Sequence, residues 1–314
     1  MSVHVNIDNF ARAECDRMFR DLAAAAGGVN RWTHVRRPTP LEGQTVIRMN
    51  RDTLYSFAVV DLAEPAAVTI PDAGERYLSV MIVNQDHYIN TILHEPGRHE
   101  LSEDVEGTRF VVVAARTLVD SADDADIAAV NALQDALLLE TGEAAPFTPP
   151  DYDTGSMDAT RRALLQLAGG IEGFDRTFGR REDVDPVRHL LGTAAGWGGL
   201  PETEAFYVNV SPGLPVGEYT LRVEDVPVDA FWSISMYNAD GFFEQNEYEA
   251  YSINDITATK DDDGAVTVRF GTEPGDAPNF LPITEGWNYI VRLYRPRPEI
   301  LDGSWTFPSP VAAG

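Results

Sequence analysis

Three of the six histidines lie within a stretch of thirteen residues, and this stretch is the first candidate for chemistry. The first of these histidines lies in the polar run Asn84-Gln85-Asp86-His87-Tyr88, and the other two are His94 and His99. An aspartate beside a histidine can fix its tautomer, and imidazole serves as an acid–base group and as a metal ligand. We therefore predict His87 and Asp86 as catalytic candidates and His87, His94 and His99 as metal-ligating candidates. The alternative is that these histidines only form local hydrogen bonds; a divalent metal is not favoured, because adjacent residues on a strand point to opposite faces.

A second candidate site is the run Asn50-Arg51-Asp52-Thr53-Leu54-Tyr55-Ser56. Arg51 could bind a carboxylate, and Tyr55 a hydroxyl or carbonyl group, if both lined a pocket. Arg51, Tyr55 and Tyr88 are accordingly the predicted ligand-binding residues. The competing interpretation is structural: Asp52 and the following threonine satisfy backbone groups of a turn, and Arg51 pairs with an acid.

Several standard mechanisms are excluded by the sequence. It contains no Gly-x-Ser-x-Gly elbow, and it has no phosphate loop ending in Gly-Lys, because the one lysine, Lys260, follows a threonine. The run His94-Glu95-Pro96-Gly97-Arg98-His99 resembles the zinc-protease helix His-Glu-x-x-His. Here, however, the histidines are five residues apart, and Pro96-Gly97 would break the helix.

The elements that must position these residues are mainly strands. Short segments rich in β-branched and aromatic residues alternate with Pro, Gly and Asp, and the connections are too short for parallel crossovers. In the first half the predicted strands are Thr45–Met49, Leu54–Val60, Val68–Ile70, Tyr77–Val83, Tyr88–Leu93 and Phe110–Ala115. In the second half they are Ala205–Val210, Tyr219–Glu224, Phe231–Tyr237, Ala250–Thr257, Val266–Phe270 and Trp287–Tyr294.

Apolar residues recur at helical spacing over 8–26, 124–140 and 157–168, so we predict helices there, the last with Ser156 as its cap. The predicted fold is mainly β: two antiparallel, jelly-roll-like sandwich domains with a few helices between them and at the N-terminus. The predicted division is an N-terminal domain over 1–150, a helical linker over 151–200 and a C-terminal sandwich over 201–314.

The motifs resemble a known pair of families. The run 50–56 is similar to the Asn-x-Asp-Thr-Leu-Tyr-Ser motif of the domain of unknown function numbered 1254, and the C-terminal half resembles its usual partner, numbered 1214. The stretches that carry the second resemblance are Phe231-Trp232-Ser233-Ile234-Ser235-Met236-Tyr237-Asn238, Asn279-Phe280-Leu281-Pro282, Arg292-Leu293-Tyr294-Arg295-Pro296 and Leu301-Asp302-Gly303-Ser304-Trp305.

The resemblance implies a pair of jelly-roll-like antiparallel sandwiches, and it brings no common activity with it. The chain departs from the family pattern in two ways. Family members often have Trp where this chain has Phe280. Many are exported, whereas the run Met1–Phe10 lacks the basic start and apolar core of a signal peptide.

The charge of the chain is strongly acidic, with 50 acidic and 24 basic residues and a net charge of −26. That field repels nucleic acid and anionic membranes, so we expect neither as a partner. Since Lys260 is the one lysine, arginine supplies the other basic residues. A GC-rich genome would explain arginine in place of lysine but not the net charge; we therefore favour adaptation to a salt-rich cytoplasm.

The length of 314 residues and the 44% content of hydrophobic residues suit a globular protein with two cores. The single cysteine, Cys15, cannot form an internal disulfide, which favours the cytoplasm. We expect a protein that binds a small molecule, with catalysis left open, and a polar pocket in the first sandwich or at the junction of the domains. The alternative is a non-catalytic structural or assembly protein. In either case we expect a homo-oligomer.

Overall fold

The chain folds into two compact units, and neither is continuous in sequence. The structure is a computed structural model that describes residues 2–44, 47–171, 173–275 and 278–313. The first unit comprises Met1–Arg36, Leu54–Leu118 and Ile127–Pro201. The second comprises Arg37–Thr53, Val119–Asp126 and Glu202–Gly314.

Helices of the first unit surround a small apolar cluster of their own. The helices that lie wholly or mainly in this unit are α1 (Phe10–Ala26), α2 (Glu103–Glu106), α3 (Asp124–Asp135), α4 (Thr154–Ala168) and α5 (Pro186–Ala195). Phe10 of α1, Leu164 of α4 and Leu191 of α5 are buried in one cluster. The carboxylates of Asp153 and Asp185 accept backbone N–H groups at the starts of α4 and α5, so each helix has a side-chain cap.

Strands of the first unit form two sheets that enclose a second core. The strands are β1 (Arg31–His34), β2 (Thr53–Asp61), β3 (Ala66–Ile70), β4 (Leu78–Asn84), β5 (Ile89–Leu93), β6 (Gly97–Leu101), β7 (Phe110–Leu118) and β8 (Leu138–Glu140). One sheet has the order β1-β2-β7-β4-β5 and the other β6-β3-β8. Val80, Val113 and Val68 pack between them. Every residue of the interior strand β4 is buried, which explains the apolar run over residues 80–83.

The second unit is a sandwich of two four-stranded sheets. Its strands are β9 (Ala205–Val210), β10 (Tyr219–Val223), β11 (Trp232–Tyr237), β12 (Ser252–Asn254), β13 (Val266–Gly271), β14 (Phe280–Pro282), β15 (Asn288–Tyr294) and β16 (Val311–Ala312), and a short helix α6 (Pro298–Leu301) follows β15. The sheet orders are β14-β13-β10-β16 and β12-β11-β15-β9. Ile234, Phe270 and Tyr289 lie in the core between these sheets.

The mainly β fold and most of the predicted strands are confirmed, with ends that differ by one or two residues in most cases. The short strands β1, β6, β8, β14 and β16 and the helix α5 were not predicted. The predicted strand 45–49 falls partly outside the described residues, and residues 47–49 form no strand. Helix α4 begins at Thr154 with Asp153 as its cap, so Ser156 lies within the first turn. In the described part of the chain, no helix is long and apolar enough to cross a membrane.

The helical segment that we predicted as a linker contributes to the core of the first unit. Residues 151–201 belong to that unit, where Met157 and Leu164 pack against Phe10. Conversely, the segment 37–53, which precedes β2 in sequence, belongs to the second unit. The apolar stripe of α4 explains the first of these results, because an amphipathic helix is stable only where its stripe is covered.

Candidate functional site

The predicted histidine site lies in the turn that joins β4 to β5. The side-chain oxygen of Asn84 accepts the backbone N–H groups of Asp86 and Tyr88, both at 2.9 Å. These two bonds close the turn, and within it His87 takes a left-handed conformation with φ of 66°. The local sequence therefore directs the His87 side chain into the protein.

His87 is fully buried, and both of its ring nitrogens are engaged. The backbone N–H of Gly198 donates to Nε2 at 2.9 Å, so Nε2 carries no proton. Nδ1 then carries the proton and donates to the hydroxyl of Thr193, which lies 2.8 Å away. Burial, and secondarily the neighbouring His189, lower the pKa of His87 well below its usual value. His87 is thus a neutral structural group, and this geometry does not favour the acid–base role predicted for it.

Asp86 and Tyr88 make contacts that do not involve the His87 ring. The Asp86 carboxylate forms an ion pair with Arg12 at 2.6 Å, and both side chains are partly exposed. The Tyr88 ring stacks on His189 with centroids 4.5 Å apart. Asp86 therefore does not orient His87, contrary to the reasoning that linked these neighbours in sequence.

The three histidines predicted as metal ligands do not form a common site. Nε2 of His99 lies 2.8 Å from the carbonyl oxygen of Glu95, and the His94 ring lies 6.1 Å from that of Tyr77. The chain leaves one sheet after β5 and enters the other at β6, which separates these side chains from His87. Within the described ranges, no group of three or more His, Cys, Asp or Glu residues could hold a metal ion.

Tyr55 and Arg51 belong to different units of the chain. Tyr55 lies on β2 in the first unit, where its ring stacks on Phe57 at 5.8 Å and contacts the guanidinium of Arg116 at 5.4 Å. Arg51 lies in the second unit. The structure therefore gives the two residues separate surroundings, and Arg51 is described below with its own unit.

A buried polar surface lies on the second unit, on the face of sheet β12-β11-β15-β9 that points away from the sandwich core. Alternation along β11 and β15 places the apolar residues in the core and the polar residues on this face, except that the apolar Ile290 also lies on this face, beside Tyr237. The polar residues that these two strands contribute are Ser233, Ser235, Tyr237, Asn288, Arg292 and Tyr294. All six are less than 6% exposed. Polar groups buried this deeply must find partners, and several find them in the segment 48–52.

Asp52 and Arg292 form the centre of this surface, which we call the polar face. The closest approach between them, from Nη1 to Oδ2, is 3.6 Å, and both side chains are almost completely buried. The hydroxyl of Ser233 donates to Asp52 Oδ2 at 2.6 Å, whereas Asp52 Oδ1 is buried without a hydrogen-bond partner among the described atoms. Burial raises the pKa of Asp52, and the charge of Arg292 and the nearby serine hydroxyls oppose that rise.

The polar face holds the chain segment that carries Arg51. Nη2 of Arg292 donates to the carbonyl oxygens of Arg48 and Met49 at 3.0 and 3.3 Å. The Tyr237 hydroxyl donates to the Met49 carbonyl at 2.7 Å, and the Asn50 amide donates to a tyrosine hydroxyl of β15 at 2.9 Å. Three hydrogen bonds to backbone carbonyls and one from the Asn50 side chain thus hold the segment immediately before Arg51.

Arg51 itself has no acidic partner among the described residues. Its guanidinium lies over the rings of Tyr251 and Phe243, at 5.4 and 6.0 Å from their centroids. Nη1 donates to the carbonyl oxygen of Thr39 at 2.5 Å, and Nε is buried without a partner. Burial lowers the pKa of Arg51, and Tyr251 acts in the opposite direction. The guanidinium is therefore held in place by aromatic rings and one carbonyl group.

A small cleft of about 60 Å³ adjoins these aromatic residues. The cleft is lined by Met236, Tyr237, Asn238, Glu244, Gln245, Asn246, Ala250, Tyr251, Pro282 and Thr284. Tyr237 also binds Arg292, and Tyr251 also contacts Arg51. The cleft, the polar face and Arg51 are thus connected through two tyrosines.

Sequence reasoning identified Arg51 but missed the residues of the polar face. Tyr237 and Tyr294 lie on the face of the sheet opposite the sandwich core, and their hydroxyls form hydrogen bonds there. The available signal was the alternation Ser233-Ile234-Ser235-Met236-Tyr237, which places small polar groups on one face of a strand with no charged residue. A solvent-facing strand would normally carry charges there.

These features define a two-unit, mainly β protein with a buried aspartate–arginine pair beside a polar cleft in its second unit. The family DUF1254, described as a protein of unknown function, matches residues 29–141, and DUF1214, described in the same way, matches 215–298. Each half of the chain therefore matches one of these two families. Asp52 falls in the first match, and Tyr237 and Arg292 fall in the second.

Solved structures share the fold. The VPA0106 protein from Vibrio parahaemolyticus aligns over 98% of both chains with a TM-score of 0.75 and 19% identity. An uncharacterised protein from Burkholderia cenocepacia aligns over 96% of this chain and 86% of its own, with a TM-score of 0.54 and 15% identity. No curated protein matches the chain. At these identities the likeness extends to the fold alone.

Proposed function

We propose that the protein binds a small molecule carrying a carboxylate, and that Arg51 with the adjoining cleft of the second unit is the binding site. The observation that supports this proposal is the state of Arg51: a half-buried guanidinium without an acidic partner among the described residues. A carboxylate ligand would supply the missing acceptors in the bidentate geometry that guanidinium prefers.

The surroundings of Arg51 suit a binding residue because they fix its position in advance. Tyr251 and Phe243 hold the guanidinium plane by cation–π contacts, and the carbonyl oxygen of Thr39 accepts a hydrogen bond from it. The side chain therefore loses little freedom when a ligand binds, which favours affinity.

The polar face fixes the backbone that precedes Arg51. Arg292 holds the backbone before Arg51, and Asp52, next in the chain, balances the charge of Arg292. We assign these two residues a positioning role and assign no catalytic step to them. The proposal is therefore one of ligand binding. It places the pocket in the second unit, whereas the sequence led us to expect it in the first sandwich or at the domain junction.

The experiment is calorimetric titration of the whole chain with acetate, propionate and butyrate. We compare the wild type with Arg51→Gln, which removes the charge and puts a neutral, polar amide in place of the guanidinium. The control is Arg297→Gln, because Arg297 is a half-exposed arginine of the same unit that already pairs with Asp229. A hydrogen bond to a charged group contributes about 1.5–3 kcal/mol, so we expect Arg51→Gln to weaken binding roughly 10- to 100-fold. Equal affinities for the wild type and Arg51→Gln would refute the site.

We also propose that the protein forms a homo-oligomer. The edge strand β9 supports this, because its side chains Phe206, Tyr207 and Val208 are only half buried and an apolar edge strand can pair with another chain. Light scattering across a hundredfold range of protein concentration tests the proposal, and a monomer throughout would refute it. If no carboxylate binds and the oligomer is stable, the alternative of an assembly protein becomes the better one.

A salt-rich cytoplasm completes the proposal. Its supports are the net charge of −26 and the unpaired, buried Cys15. The dependence of thermal stability on salt, described in the Discussion, tests the part that concerns salt.

A further inference from the structure

We infer that the ligand carries an amino group as well as a carboxylate, which makes it a small amino acid or a related amino-carboxylate. The inference rests on the proposed function, because it takes Arg51 as the group that binds the carboxylate. What it adds is a second recognition point, Glu244, and hence a chemical class of ligand.

Glu244 is the one charged residue among those that line the cleft. The remaining lining groups are two phenols, three amides, a hydroxyl and the side chains of Met236, Ala250 and Pro282. The hydroxyl of Thr284 donates to one carboxylate oxygen of Glu244 at 3.1 Å. The Glu244 side chain is exposed, so its second carboxylate oxygen can accept a hydrogen bond from a ligand.

A ligand that carries a carboxylate and no positive charge would lie near a positive residue at one end and near a negative residue at the other. Its carboxylate would be attracted by Arg51, but the part that enters the cleft would face the negative charge of Glu244. An ammonium group reverses the second interaction and forms a charge-assisted hydrogen bond. The cleft also presents the tyrosine rings 237 and 251, and aromatic faces attract cations.

The volume of the cleft limits the size of the ligand. A water molecule needs roughly 10–15 Å³ of cavity volume. A cleft of about 60 Å³ therefore holds roughly four to six water-sized groups. A short chain that ends in an amino group fits this space. A nucleotide or a sugar ring would exceed it.

The test compares three matched series of probes on the whole chain by calorimetric titration. The first contains glycine, β-alanine and 4-aminobutyrate; the second contains acetate, propionate and butyrate; the third contains methylamine, ethylamine and propylamine. We expect the best amino acid to bind at least tenfold more tightly than the acid of equal chain length and than the matching amine. The series with different chain lengths allows for the separation between the two recognition points.

Substitution of Glu244 provides the residue-specific arm. Glu244→Gln should reduce the affinity for the best amino acid to that for the corresponding acid, while the binding of the acid itself stays the same or improves. Glu285→Gln is the matched control, because Glu285 is an exposed glutamate of the same unit that does not line the cleft. This control should leave the preference for amino acids unchanged.

The outcomes separate the inference from the proposed function. If the acids bind as tightly as the amino acids and Arg51→Gln weakens both, the amino-group inference is wrong and the carboxylate site stands. If the amines bind as tightly as the amino acids and Arg51→Gln has no effect, both are wrong. If none of the nine probes binds, the proposed function fails and the inference fails with it.

Discussion

Replacement of Glu106 by glutamine should stabilise the protein, and the gain should grow as the pH rises. Glu106 ends the short helix α2 and is 1% exposed. The hydroxyl of Thr91 donates to Oε1 at 2.7 Å, and Oε2 is buried without a partner among the described atoms. Burial raises the pKa of Glu106 from 4.5 to about 7, and the Thr91 bond only partly opposes this.

The magnitude follows from that shift. Between pH 4.5 and pH 7 the folded state holds more protons than the unfolded state, so the free energy of unfolding falls as the pH rises through this window. A rise in the pKa of Glu106 from 4.5 to about 7 lowers the free energy of unfolding by about 3 kcal/mol at pH 8, whereas at pH 5 the loss is less than about 1 kcal/mol. Glutamine stays neutral at both values and can keep the bond from Thr91, so Glu106→Gln should avoid this loss.

The assay is urea unfolding of the wild type and Glu106→Gln at pH 5 and pH 8, followed by circular dichroism. We expect the variant to exceed the wild type by about 2–3 kcal/mol more at pH 8 than at pH 5. Glu103→Gln is the control, because Glu103 is an exposed glutamate in the same helix and makes the same change in net charge. A gain that is equal at both values of pH, or that appears equally in the control, would refute the raised pKa of the buried Glu106.

Three further predictions concern the rest of the molecule. Arg292→Leu removes the partner of the buried Asp52, so urea unfolding should show a loss of about 3–5 kcal/mol; a loss below about 1 kcal/mol would contradict the network. Burial raises the pKa of Cys15 to about 12, so a thiol reagent at pH 8 should label the folded protein far more slowly than the unfolded one, and equal rates would contradict its burial. Screening within ~10 Å at 0.1 M salt and ~3 Å at 1 M should raise the melting temperature between low salt and molar sodium or potassium chloride, and a flat or falling curve would refute salt adaptation.

Strands that form hydrogen bonds on both sides were the predictable part of the fold. The run 110–115 and the alternation along 232–237 identify such strands, since burial on one or two faces leaves a clear pattern. The strand Gly97–Leu101 was missed because it has a single apolar end and lies at a sheet edge, where exposed polar side chains hide the pattern. Edge strands of this kind depend on their neighbours more than on their own residues.

The predicted site shows a different limit of sequence reasoning. Proximity along the chain suggested that Asp86 and His87 act together, but the turn places one side chain at the surface and the other in the interior. Arg51 was chosen for its chemistry, and its role as a ligand-binding residue stays a prediction. The partner that holds its backbone, Arg292, is 241 residues away in sequence, and nothing in a single sequence links the two.

The buried Asp52–Arg292 pair of the polar face positions the backbone before Arg51 more than it stabilises the second unit. Burying Asp52 and Arg292 removes two charges from water, and apolar residues of similar volume often stabilise a core at least as well. The pair is therefore better explained by its role in positioning the backbone than by a contribution to stability. A guanidinium can hold two successive carbonyl oxygens, as Arg292 holds those of Arg48 and Met49, whereas an apolar side chain would let that backbone slide. Fixing the backbone fixes the start of the Arg51 side chain, and this is the property that a preformed binding site requires.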